Sequence, residues 1–239
     1  MDNKPLISSL VWSVIIGASL VIAGLIFSRA FIEARKGDRY VNVKGLAERE
    51  VNADLVIWPV TFTETANDLT ALQRTIDSKR EIITEFLIQC GFKKSEISQA
   101  APKIRDNQAE TYGTSPAMKY RYIAQTTTLL RSDSVTLVKR AMEKSGSLVS
   151  EGVALATDWQ SRTEFLFTGL NRIKPEMIEE ATLNARGAAE KFAKDSGSKL
   201  GKIRSATQGL FTITDRDMNS PDKKNIRVVT VLEYYLVDE

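Results

Sequence analysis

Two pairs of carboxylates and one thiol are the side chains of this 239-residue chain whose type and spacing could do chemistry. Glu48 and Glu50 stand two residues apart, as do Asp215 and Asp217. Paired carboxylates can share proton-transfer work or hold Ca²⁺. Neither pair has the surroundings that work requires. The first falls near a strand turn. The second falls in the loop DRDMNSPDKK, which is rich in Asn, Ser, Pro and Lys. A calcium loop needs more oxygen ligands and a glycine at a defined place. Both pairs read as solvated turn residues.

The thiol is Cys90, the only cysteine, so no intramolecular disulfide can form. It stands at the end of an expected helix, directly before Gly91. The negative end of a helix dipole disfavours a thiolate. Cys90 therefore reads as a small buried apolar group. The chain has no histidine. That removes Ser-His-Asp and Cys-His catalysis, imidazole metal sites and histidine pH switches. No phosphate-loop pattern surrounds Gly169 or Gly209. The sequence supplies no catalytic, cofactor-binding or metal-ligating constellation, and none is assigned.

Charged residues make up 26% of the chain, and the net charge is +3. The basic residues form pairs such as Lys139-Arg140 and Lys223-Lys224 rather than a stripe. This pattern indicates solvated surface, not nucleic-acid binding.

The elements that carry these residues begin with an uncharged run, PLISSLVWSVIIGASLVIAGLIFS, from Pro5 to Ser28. About 24 helical residues reach about 36 Å, enough for a hydrocarbon core of about 30 Å. A cleaved signal peptide is the competing reading. Its apolar region is shorter, about 7–15 residues, and the one small-x-small site is Ser28-Arg29-Ala30. An uncleaved anchor is expected, engaging the membrane through residues 5–28. Small residues such as Gly17, Ala18 and Gly24 dilute its Leu/Ile/Val content. The basic flank Arg29, Arg35, Lys36 and Arg39 on its own would keep the polar remainder of the chain in the cytoplasm. The chain then reads as an anchor, 1–34, a linker, 35–39, and one domain, 40–239.

Within that domain, Tyr40–Gly45 alternates as a strand. Residues 54–65 form a second, with Pro59 forcing a bulge or an edge. Asn67 or Asp68 caps a helix that runs to Cys90 and stops at Gly91. Ile97–Ile104 and Tyr120–Leu130 read as strands, separated by a Gly/Pro-containing loop over 109–119. Ser132 caps a short helix ending near Ser145, with Gly146 as its stop. Val149–Ala156 and Thr163–Thr168 read as extended. Pro175 starts the longest helix, striped by Met177, Ile178, Ala181, Ala185, Ala188, Ala189, Phe192 and Ala193, with Leu200 beyond. Its alanines read as a small-residue face pressed against a sheet. Ile203–Thr214 and Asn225–Val237 close as a hairpin. From 54 to 168 the order is strand, helix, strand, strand, helix, strand, that of a ferredoxin-like split βαβ. The expected class is α+β: an N-terminal transmembrane helix, then a ferredoxin-like βαββαβ core of mostly antiparallel strands, with an extra long helix and C-terminal hairpin. Trp58, Phe165, Phe167, Tyr234 and Tyr235 read as core, and Trp159, at a turn, as the aromatic suited to an exposed interface.

Val43 to Asp54 reads V-K-G-L-A-E-R-E-V-N-A-D. It resembles the opening V-x-G-x-G-x-x-x-V-x-P-D of the SIMPL-domain family, bacterial envelope proteins of unknown function. Ala181 to Ile203, A-x3-A-R-x-A-A-x3-A-x3-G-x2-L-G-K-I, is similar to that family's alanine-rich helix and L-G-K-V ending. The resemblance covers nearly all of Arg39 to Val237. Ala47 stands where the family usually has its second glycine, and Ala53 where it often has proline.

The resemblance implies export to the periplasm or an anchor in the inner membrane facing it. It implies association of some members with oxidative-stress protection, and homo-oligomerisation in at least one. It supplies no catalytic residues. The functional expectation is a membrane-anchored, periplasmic, non-enzymatic protein that self-assembles. The alternative is a small-molecule binder or enzyme with an unrecognised carboxylate/Lys pocket. A homo-oligomer is expected through strand edges and the Tyr234/Tyr235 region, because exposed edges invite pairing.

Overall fold

The structure is a computed structural model and describes residues 4–36, 39–109, 119–156 and 161–237. It begins with α1, Lys4–Lys36. Its described side chains stand exposed on every face, among them Ile15, Leu20, Val21, Leu25 and Phe27. Among the described residues no helix is long and apolar enough to cross a membrane. The expected spanning segment is therefore not supported at this level.

Beyond α1 the protein is a mixed α/β structure with antiparallel sheets. It divides into two compact units, one of residues 1–48, 175–211 and 227–239, the other of residues 49–174 and 212–226. The second unit holds β2 (Leu55–Ala66), α2 (Leu69–Gln89), β3 (Ile97–Gln99), β4 (Lys103–Asp106), β5 (Tyr122–Ser132), α3 (Val135–Lys144), α4 (Gly146–Ser150) and β6 (Glu164–Leu166). Its sheet has the order β3-β5-β2-β6, with β4 also on β5, and each pairing is antiparallel. The element order expected over 54–168 is met by β2, α2, β3, β5, α3 and β6. Alternation sends Val56, Trp58, Val60 and Phe62 of β2 inward. There they pack with Leu72, Ile76, Ile83, Phe86 and Leu87 from α2, at helical spacing. Asp68 caps α2 by accepting the Ala71 N–H at 2.8 Å. Gly91 takes φ +102 after it, a conformation that favours glycine.

Several boundaries differ from the sequence reading. The strand expected over 97–104 breaks into β3 and β4 around Pro102, which has no N–H for a ladder. α3 ends at Lys144 with Ser145 as its C-cap, as expected, but Gly146 opens a second helix, α4, which ends ahead of Gly152, φ +85. Val149 and Ser150 are thus helical, and Leu155 alone of that stretch bridges to β2, at Phe62. Pro59 sits opposite Leu129 with no register shift, and β6 pairing ends at Ile57. The edge reading holds, without a bulge. Most of the loop over 109–119 lies outside the described residues.

The other unit contains most of the long helix and of a four-stranded sheet. The helix α5 spans Leu170–Asp195, and Pro175 lies inside it rather than at its start. The first turn forms ahead of the proline, with Arg172 N–H donating to the Gly169 carbonyl at 3.0 Å. The strands are β1 (Tyr40–Asn52), β7 (Lys199–Gln208), β8 (Thr212–Asp215) and β9 (Lys223–Val237), in the order β1-β9-β7 with β8 also on β9. The expected strand over 203–214 is two strands, interrupted after Gln208. Met177, Ala181, Ala185, Ala189 and Ala193 form the buried stripe of α5, while Ala188 and Phe192 are exposed. Val41, Val43, Ala185, Ala189, Leu232 and Tyr234 make this unit's core.

Candidate functional site

Each suspected carboxylate lies beside a cation, and Glu50 and Asp217 share one, Arg216. Glu48 lies 3.5 Å from Arg227, and Glu50 lies 3.2 Å from Arg216. Asp215 pairs with Lys224, a buried lysine on the neighbouring strand. Asp217 pairs with Arg216 at 2.8 Å and accepts the Asn219 N–H. The Arg216 hydrogen bond holds the Asp217 carboxyl below the ordinary carboxylate range. A carboxylate held low is a weak proton donor near neutral pH. The two pairs therefore do not form acid–base dyads; they fasten strands and a hairpin turn.

Cys90 caps the C-terminus of α2 and is half-buried. Burial pushes its thiol pKa up, against a smaller opposing effect of Lys144. A raised thiol is a poor nucleophile. Trp159 lies outside the described residues. Trp58, Phe165 and Tyr234 are buried, while Phe167 and Tyr235 are half-buried. Among the described residues no group of three or more His, Cys, Asp or Glu could hold a metal ion.

What sequence reasoning missed is a charged cleft of about 920 Å³ at the start of α3. Lys139 donates to Asp222 at 2.9 Å. Asp54 accepts the Thr168 N–H at 2.7 Å and faces Arg172 at 3.8 Å. Lys223 donates to Asn52 at 2.5 Å. Burial alone would raise the Asp222 carboxyl; hydrogen bonds from Lys139 and its own backbone, with the Lys139 and Lys223 charges, outweigh that and hold it low. Such a cleft can hold a polar ligand. Its partners come from segments 83 residues apart, so no local motif announces it. A second groove, about 340 Å³, lies on the sheet face made by Ile57, Pro59 and Leu129, beside a Thr61–Thr127 hydroxyl contact of 2.9 Å.

The strongest geometric constraint lies elsewhere. A Cβ on Gly45 would collide with the Ala181 carbonyl oxygen and the Ala185 nitrogen, and would stand 2.8 Å from the Ala185 Cβ. The two stretches that carry the family resemblance are thus packed on each other. The family described as SIMPL, protein of unknown function (DUF541), matches residues 41–227. The chain belongs to the SIMPL family. No curated protein matches it.

The SIMPL match runs from the second residue of β1 into β9. Both departures from the family pattern have a place in the structure. Ala47 is buried on the inward face of β1. Ala53 donates its N–H to the Asp222 carbonyl at 2.8 Å, a bond that a proline there could not make. The resemblance brings no site residues.

Proposed function

We propose that this SIMPL protein is anchored in the inner membrane by α1, faces the periplasm, performs no catalysis and self-assembles in support of the envelope or of oxidative-stress protection. The observation that carries the anchor is the uncharged run Pro5–Ser28, in a helix whose described apolar side chains stand exposed, Phe27 at 76% among them. An apolar surface of that extent marks a membrane or partner contact. The non-catalytic reading is supported by a chain without histidine, a raised thiol and carboxylates held low by cations. Self-assembly is supported by sheet edges at β1 and β7. The periplasmic side is what the family resemblance implies, against the basic flank after α1. The Tyr234/Tyr235 region is withdrawn as the contact, because Tyr234 is buried and β9 has strands on both edges.

The test is fractionation of cells carrying the full chain. The protein stays with membranes through high-salt and carbonate washes, and external protease digests it in spheroplasts. Release by carbonate removes the anchor. Protection until lysis places the domain in the cytoplasm.

A second reading, small-molecule binding, is favoured by the Lys139–Asp222 cleft alone. Nuclear magnetic resonance shifts confined to that cleft on titration with zwitterionic amino acids would support it; unchanged spectra would end it for that ligand class.

A further inference from the structure

We propose that the free edge of β1 pairs with β1 of a second copy, antiparallel and two-fold about Leu46. The inference rests on the self-assembly reading and names its surface. Among the described residues β1 ends its sheet, with β9 as its neighbour. The Arg39 carbonyl accepts the Leu236 N–H at 2.9 Å, and Ala53 donates to the Asp222 carbonyl at 2.8 Å. Odd-numbered residues thus turn their backbone polar groups toward β9 at both ends of β1. Successive residues of a strand alternate in this respect, so the even-numbered ones turn theirs to the open edge. Leu46 agrees, because its carbonyl accepts the Asn184 side-chain amide from α5 at 2.8 Å instead.

The side chains choose both occupant and register. Asn42, Lys44, Leu46 and Glu48 share the exposed face of β1. A two-fold axis at Leu46 sets Lys44 opposite the partner's Glu48 and Glu48 opposite the partner's Lys44. It also sets Leu46, 39% exposed, against the partner's Leu46. Opposite charges directly across a strand pair stabilise it, and like charges oppose it. Moving the axis by two residues either way, a slip of four, puts Lys44 against the partner's Lys44, or Glu48 against the partner's Glu48. The strand is therefore complementary to itself about Leu46, where both Lys44–Glu48 pairs form, and a two-fold contact closes. Within the chain, Glu48 lies 3.5 Å from Arg227. Asn184 caps the edge carbonyl in the lone chain, so it competes with pairing.

Cross-linking the full chain in membranes tests this. In a hydrogen-bonded antiparallel pair facing Cα atoms stand about 5.5 Å apart, within disulfide reach of about 4.4–6.8 Å. Leu46→Cys in a Cys90→Ala background should give a disulfide dimer under mild oxidation. Leu183→Cys, an exposed site on α5, should not. Lys44→Glu should lower the Leu46→Cys dimer yield at least tenfold, adding Glu48→Lys should restore it, and Asn184→Ala should raise it. If an amine cross-linker traps oligomers while Leu46→Cys yields no dimer, or the charge exchange does not rescue, the β1 edge is the wrong surface and assembly stands. If neither cross-linker traps an oligomer, the self-assembly reading fails as well.

Discussion

Gly45 of β1 lies directly under Ala181 of α5, with no room between them for a side-chain carbon. The contact sets how closely the helix approaches its sheet. It also explains why one stripe of α5 repeats alanine every four residues, at 181, 185, 189 and 193, all buried. Larger residues on that stripe would meet the strand backbone before the helix could seat.

Replacing Gly45 with alanine is therefore expected to destabilise the fold by at least about 1–3 kcal/mol, the usual cost of overpacking. Gly187→Ala on the same helix has open space around its Cβ. That change is expected to stabilise by about 0.5–1 kcal/mol through helix propensity. Urea denaturation followed by circular dichroism compares the two, and equal effects would remove the close-approach argument.

Acid should weaken the fold through identified carboxylates. The Arg121 hydrogen bond, then the Gln108 N–H, hold the Asp106 carboxyl low, and Arg216 does the same for Asp217. An unfolded aspartate titrates near about 3.9. Below that pH the unfolded chain binds these protons first, so stability falls as pH drops toward the lower folded values. Above about pH 5 the contribution is complete. The double variant Asp106→Asn, Asp217→Asn should show a flatter stability profile between about pH 5 and 3. An unchanged slope in thermal melts across that window would contradict the assignment.

Arg80 pins the break between β3 and β4. Its guanidinium donates to the Ala100 carbonyl and to Thr126 Oγ1, and its Nε is buried without a partner. Arg80→Ala should cost about 1.5–3 kcal/mol, the range for charged hydrogen bonds. Arg80→Lys should recover only part of it, since an ammonium lacks the planar fork. Chemical denaturation of both variants decides. Full recovery by lysine would reduce the role of Arg80 to its charge.

These cases show where the sequence was legible. The α2 stripe, its Asp68 cap and the Gly91 stop were readable because each rests on local chemistry within a few residues. The break at Pro102 and the second helix that opens at Gly146 were not, because a proline or glycine permits a loop without requiring one. Pro175 looked like a first-turn residue, yet the helix begins ahead of it at Leu170. The cleft at Lys139 and Asp222 left no trace in the sequence, since its partners meet only after folding. The suspect carboxylates stood two apart in sequence; folding set Glu48 and Glu50 beside arginines from distant segments, while Asp215 and Asp217 met cations of their own hairpin.

Cys90 offers a check on the non-catalytic reading. Cys90→Ala is expected to cost about 1 kcal/mol or less, as for loss of a small half-buried group, with phenotype unchanged. Its thiol should react with iodoacetamide at pH 7 more slowly than an unstructured cysteine peptide, because burial raises its pKa. Faster alkylation, or a lost phenotype at normal abundance, would bring a thiol mechanism back.

The central claim is that this is an assembling protein rather than a catalyst. Its most direct measurement is the protein mass of the full chain, extracted in mild detergent and tracked by light scattering or sedimentation over a wide concentration range. A mass that is a whole-number multiple of the single chain, constant down to low micromolar concentration, is the predicted result. A single-chain mass at every concentration would contradict it.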